Sequence, residues 1–240
     1  MHVSLFILMI IQSVSFKDTQ LQFGRVKVSY EEKEEAVKQH FRLKNLSYKD
    51  HNLFLRAFKA EQTLEVWVKE VQSEQFTLVR TYAFCTNSGT LGPKRKEGDL
   101  QIPEGVYYIN HFNPESKFYL SLGLNYPNVS DKILSDKQHP GGSIYIHGNC
   151  VTIGCIPITD DKIKELYILA VEAKNNGQEK IPVHIFPTRL TDQGLMKLRN
   201  DYPGSGNIPF WENLKIVFDG FEHSKTLKPI RVNKSGQYVF

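Results

Sequence analysis

At 240 residues the chain is long enough for one large domain, or for one domain with appendages, and short for two complete ones. Hydrophobic residues make up 40% of it, aromatic residues 12% and charged residues 23%, which is enough to build a core and excludes a wholly disordered chain; the 16 glycines and 11 prolines follow no fixed period, which excludes collagen-like and solenoid architectures. A net charge of +4 spread along the chain gives no reason to expect a nucleic-acid partner.

The first sixteen residues, Met1 to Phe16, carry an apolar run from Val3 to Ile11 that is too short to span a bilayer and gives way abruptly to Lys17 and Asp18. That pattern predicts an export leader, with a buried N-terminal strand as the alternative, and no integral membrane span. The expected location is then the periplasm or cell envelope. An oxidising compartment gives meaning to three cysteines, Cys85, Cys150 and Cys155: one disulfide and one free thiol.

Residues 17–52 read as an N-terminal helical and linker segment, in which Tyr30, Val37 and Phe41 form a narrow apolar stripe on an otherwise charged, solvent-exposed helix. From Leu53 the period changes to two, and LFLRAF, LEVWVKEV and FTLVRTYAF predict a β-meander. A basic, Gly-rich loop from Gly89 to Asp99 interrupts it before GVYYINHF, KFYLSLGLN and SIYIHG resume the alternation. After Cys155, a helix is expected with Thr159 as its cap, Asp160 and Asp161 in its positive first turn and Gly177 at its end. The strand IPVHIF follows, then a helix capped by Thr191, a short helix opened by Pro209, and a closing strand over IRVNKSGQYVF. Strands in the middle and helices in the last third predict an α+β class with a β-rich mixed sheet: a catalytic unit over residues 53–186 and a helical C-terminal elaboration over 187–240.

The segment IYIHGNCVTIGCIPIT places one histidine and two cysteines within nine residues, His147 to Cys155, bounded by Gly148 and Gly154. A cysteine nucleophile needs a base, because a free thiol is mostly protonated at neutral pH. On the strand SIYIHG, Tyr145 and His147 point away from the face that carries Ile144 and Ile146, which leaves His147 usable as that base. Two other readings stay open. His147, Cys150 and Cys155 could ligate a metal, though the chain offers no convincing fourth ligand, or a buried histidine could simply lie beside apolar cysteines.

The run His147-Gly148-Asn149-Cys150-Val151-Thr152-Ile153-Gly154-Cys155 resembles the signature of the L,D-transpeptidase catalytic domain, the YkuD type, and most closely its YafK-like branch. Ile102-Pro103-Glu104-Gly105, the stretch from Phe112 to Asp131 and GGSIYIHG are similar to that branch as well, so the resemblance spans about Leu53 to Phe186. Relative to the S/T-H-G-C-x-R block of the better-known branch, Ile153 stands for the histidine and Pro157 for the arginine.

The resemblance implies an enzyme without metal or organic cofactor that acts on peptidoglycan stem peptides, or on a protein linked to peptidoglycan. Cys155 would attack a carbonyl at diaminopimelate, His147 would move the proton, the Gly148 carbonyl would orient the imidazole, and amides around Gly154 would form the oxyanion hole. Lys94, Arg95 and Lys96 are candidates for binding substrate carboxylates, a solvated basic turn being the alternative; Tyr107, Asn125, Tyr126, Asn149 and Thr152 are further candidates for substrate contact. Cys150 is expected to do no chemistry and to pair with Cys85. The branch and the two substitutions tilt the expectation toward hydrolysis; a transpeptidase whose acceptor is held near Phe210 and Trp211, or an inactive peptidoglycan-binding module, are the alternatives.

Overall fold

The computed structural model describes residues 14–240, so the first thirteen residues of the expected leader lie outside the described residues. Ser15 caps a short helix α1 (Phe16–Gln20) with its hydroxyl on the Asp18 amide, and Phe16 packs edge-on against Phe112. Helix α2 (Gly24–Arg42) begins earlier than the sequence pattern suggested and buries Val26, Tyr30, Val37 and Phe41.

The meander is present as β1 (His51–Phe58), β2 (Thr63–Glu70) and β3 (Thr77–Ala83), all antiparallel. There follow β4 (Gly105–Asn113), β5 (Ser121–Leu124), α3 (Val129–Leu134), β6 (Tyr145–His147), β7 (Ile156–Pro157), α4 (Asp160–Asn175) and β8 (Ile181–Phe186). The eight strands form one mixed sheet in the order β3-β2-β1-β8-β4-β5-β6-β7, with β1–β8 and β6–β7 parallel. Cys85, just past β3, donates its N–H to Pro157 O in β7 at 3.1 Å, so the two ends of this sheet curl toward each other.

Both faces of the central strand are covered, which is why β1 is buried along its length. Leu53, Leu55 and Ala57 join α2 and α4 in the larger core; Phe54 and Phe58 pack on the other side with residues of α5 (Asp192–Asp201) and α6 (Ile208–Ser224). On that second face the fully buried Arg56 bonds Glu222 at 2.7 Å and lies within 5.0 Å of the ring centres of Phe58, Phe218 and Phe221. Helix α6, expected to be short, runs for 17 residues. Instead of a single closing strand the chain ends in a small hairpin, β9 (Arg231–Val232) and β10 (Tyr238–Val239), because Asn233 and Gly236 turn it back on itself.

The loop before β4 is fastened from beneath. Glu104 is fully buried, pairs with Lys59 at 2.9 Å, accepts the Gly92 N–H at 2.8 Å and accepts the Trp211 indole N–H at 2.7 Å. Its charge is tolerable there because it is matched and hydrogen-bonded on both oxygens.

Candidate active site

Strand β6 ends at His147, and β7 lies parallel to it with Ile146 opposite Ile156 and His147 opposite Pro157. Ile146 and Ile156 are fully buried, which pins the register. Because directly paired residues share a face, Cys155, one position before β7, falls on the face of Tyr145 and His147. Gly154, at φ +139°, lets the chain enter that strand: a side chain there would meet the Gln101 carbonyl at 3.0 Å.

The imidazole is buried, with Nδ1 on the Gly148 carbonyl at 2.5 Å, so Nδ1 carries the proton and Nε2 is the basic nitrogen. Phe118 stacks on the ring with centroids 4.5 Å apart. Burial holds the imidazole below its ordinary pKa, and the bond to Gly148 opposes this only partly. Burial also pushes the Cys155 thiol up, with the Tyr145 N–H and the Lys94 charge pulling the other way. Both groups therefore rest uncharged at neutral pH. The thiol points to the Ser143 carbonyl at 3.7 Å, so handing its proton to His147 requires a rotation about its side-chain bond.

The turn between them is held tightly. Gly148 N–H donates to Leu120 O at 3.2 Å, and the Asn149 N–H donates to Asp160 Oδ1 at 2.7 Å. Asn149 sits at φ 62°, a left-handed conformation that asparagine tolerates, and accepts the Cys150 N–H on its own side chain. Cys150 is bonded to Cys85, with Cα atoms 5.4 Å apart, and Cys155 is the free cysteine. With that sulfur engaged, the ligand set His147, Cys150 and Cys155 is not assembled. The Thr152 hydroxyl closes the turn, accepting the N–H of Gly154 at 3.1 Å and of Cys155 at 2.8 Å and donating to Cys155 O at 2.9 Å. Thr152 is thus a brace of the turn, and the Gly154 amide is engaged with it at rest.

The basic run is divided. Lys94 is buried against Asp99, with Nζ on Oδ1 at 2.6 Å; Arg95 faces Asp131 at 3.4 Å and lies 4.8 Å from the Phe210 ring centre; only Lys96 is exposed. Tyr107 and Tyr126 are buried and bonded inward, Tyr107 to Asp131 at 3.0 Å and Tyr126 to Pro140 O at 2.8 Å, while the Asn125 side chain accepts the Tyr108 N–H at 2.7 Å. These three support the loops beside the site. Trp211 is fully buried and points into the core. Sequence reasoning missed Phe118, the Ser143 carbonyl, the Tyr145 amide and the contact made by Asp160; Ser143 and Tyr145 lie in the segment that leads to His147 and meet Cys155 where β7 pairs with β6, Phe118 arrives from a distant loop, and Asp160 carried a local signal only as a first-turn helix acid.

The first helix turn also departs from expectation. Thr159 is the N-cap of α4 by position but makes no side-chain capping bond, while Gly177, at φ +92°, follows the helix end as expected.

The L,D-transpeptidase catalytic domain family, YkuD, matches residues 54–185. YafK of Escherichia coli (strain K12), named for the L,D-transpeptidases, is 37% identical over 190 residues, covering 78% of this chain and 73% of that protein. Among solved structures, the helical cell shape determining protein Pgp2 of Campylobacter jejuni is 20% identical with a TM-score of 0.46, over 78% of this chain and 74% of that one. Bd1075 of Bdellovibrio bacteriovorus is 23% identical with a TM-score of 0.41, over 62% of this chain and 53% of that one. Among the described residues no helix is long and apolar enough to cross a membrane.

Proposed function

The chain belongs to the L,D-transpeptidase catalytic domain family, and on that premise we propose that it is a cysteine enzyme of peptidoglycan stem peptides that hydrolyses the bond between diaminopimelate and a linked peptide or protein. The observation that carries this reading is the placement of Cys155 and His147 on one face of two adjacent parallel strands, with the imidazole fixed so that Nε2 is its base.

In the first half-reaction Nε2 takes the thiol proton as Sγ attacks the carbonyl carbon. The resulting oxyanion would be received by the amides of Gly154 and Cys155 as Thr152 Oγ1 yields them. Collapse breaks the C–N bond, His147 delivers its proton to the leaving amine, and a thioester remains. Water then attacks the thioester with Nε2 as base, the carboxylate leaves, and the thiol regains its proton. Buried Lys94, whose charge reaches Cys155, favours the negative sulfur in both halves.

Hydrolysis is favoured over transfer by what surrounds the sulfur. Ile153 is 79% exposed beside the nucleophile with a side chain that offers an arriving amine no hydrogen bond, and Pro157 lies buried in β7. Water needs no such guide. The disulfide suits an exported enzyme of the cell envelope. The test is incubation with a diaminopimelate-linked donor and excess acceptor tetrapeptide, read by mass, with Cys155→Ala as control. Free donor product that Cys155→Ala does not form is expected. A predominant cross-linked product would make the enzyme a transpeptidase, and absence of both products together with no carbapenem adduct on Cys155 would reduce it to a binding module.

A further inference from the structure

We propose that Asp160 is a positioning residue for the base, acting on His147 through the peptide group that joins Gly148 to Asn149. The carbonyl of that group accepts from His147 Nδ1 at 2.5 Å, and its N–H donates to Asp160 Oδ1 at 2.7 Å. The two bonds lie at opposite ends of one planar unit, so its rotation would break both. Asp160 therefore occupies the place of a third catalytic-site member, held at one remove by a backbone amide.

The surroundings single out this contact. His147 O accepts the Ile158 N–H at 2.9 Å and Gly148 N–H donates to Leu120 O at 3.2 Å, both backbone to backbone. Of these three backbone contacts, only that of the Asn149 N–H is made to a side chain, so this restraint can be removed by one substitution that leaves the residues of the turn in place. Its carboxylate comes from the first turn of α4, a helix whose Ile163, Leu166, Tyr167 and Ala170 are fully buried, so the acceptor is mounted on a rigid element. The fit is close: a Cβ on Gly148 would stand 2.5 Å from Asp160 Oδ1 and 2.8 Å from the Phe118 carbonyl. Glycine is required here because the carboxylate passes over its α-carbon. With Thr159 making no side-chain cap and Asp160 turned outward to the loop, the start of α4 serves the turn instead of its own amides.

The inference rests on His147 being the base, and one readout does not depend on activity. Asp160→Ala should lower kcat by about 10- to 100-fold with KM changed less than about twofold, since a peptide free to rotate misplaces the imidazole. Asp160→Asn keeps an acceptor oxygen and should recover kcat to within about threefold. Nitrogen-15 spectra of His147 should show a single Nδ1–H tautomer in wild type and Asp160→Asn, and a tautomer mixture in Asp160→Ala. Asp161→Ala removes the neighbouring first-turn acid, whose partner is Lys33, and should leave kcat and tautomer unchanged. Wild-type kcat and tautomer in Asp160→Ala would overturn the proposal. So would an equal loss in Asp161→Ala, which would trace the effect to helix stability. A wild-type protein without turnover would defeat the proposed function, while the tautomer spectra would still decide the role of Asp160.

Discussion

The Phe118 ring lies over the His147 imidazole with their planes inclined by only 27° and their centroids 4.5 Å apart. This stacking shields the ring from water, and burial is the main cause of its depressed pKa. Phe118→Ala should therefore move the His147 midpoint up toward 6.5, its ordinary value. The pH profile of Cys155 acylation by a carbapenem should shift to higher pH with it, so that the variant loses more at pH 6 than at pH 8. An unshifted midpoint would mean that other walls of the site set the desolvation.

The resting pair is neutral, which has its own kinetic consequence. Acylation should rise with pH through one ionisation below 6.5, when the imidazole becomes free to accept a proton, and then stay flat until the thiol itself ionises above 9.0. A normal solvent deuterium isotope effect should accompany the plateau. In His147→Ala the plateau should vanish and the rate should climb with thiol ionisation alone, being lower at pH 7 by roughly 100- to 10,000-fold. A bell-shaped profile with a low thiol midpoint would instead reveal a preformed thiolate and imidazolium.

Joining Cys85 to Cys150 closes a loop across a sequence separation of 65. Removing the link with Cys85→Ser and Cys150→Ser together should cost about 2–4 kcal/mol in denaturant unfolding. Turnover should fall as well, because the bond is one of the restraints on the Asn149–Cys150 turn. Thiol titration of the native, unreduced protein should find one reactive group, Cys155; three would refute the pairing.

Burial raises the Asp131 carboxyl to about 6, despite hydrogen bonds from Asn128 and Tyr107 and the nearby Arg95. Since 3.8 is its ordinary value, the folded state holds this proton more tightly than the unfolded one. The associated stability is present below pH 4 and is lost as pH rises through 6, a change on the order of 2–3 kcal/mol. Asp131→Asn should flatten this part of the stability curve. Urea unfolding at pH 4 and pH 7 measures it, and equal slopes for both proteins would place the dependence elsewhere.

Much of the candidate site was legible because its residues are close in sequence. His147, Gly148 and Cys155 lie within one short segment, and the alternation of SIYIHG told which way the imidazole faces. The meander was legible from period two, although β1 buries both faces, because its flanking turns are polar. What could not be read depends on which partner the folded chain brings to a side chain. Lys94 looked like a free surface cation until Asp99 folded back onto it, and Tyr107 looked like a groove residue until Asp131 of a later helix received its hydroxyl. Trp211, expected near an acceptor if the enzyme transfers, is buried instead, and nothing near it in sequence announces Glu104, its partner 107 residues away. Thr159 has the right identity for a cap; the geometry of the preceding turn gives that work to no side chain.

The meeting of the sheet's two ends bears on solubility. An outermost strand such as β3 leaves backbone donors and acceptors open to pairing with another molecule. Here it is fastened at both extremities: Phe76 N–H donates to Lys225 O at 2.8 Å beyond α6, and Cys85 N–H donates to Pro157 O at 3.1 Å, where the disulfide adds a covalent clasp. Lys162 Nζ further occupies the Ala83 carbonyl at 3.1 Å. What remains between the fastenings is short and carries exposed Arg80 and Thr81, a poor template for a neighbouring strand. Loss of the clasp would thus threaten more than the turn between His147 and Cys155: it would free one extremity of an otherwise closed edge and invite self-association through intermolecular β-pairing.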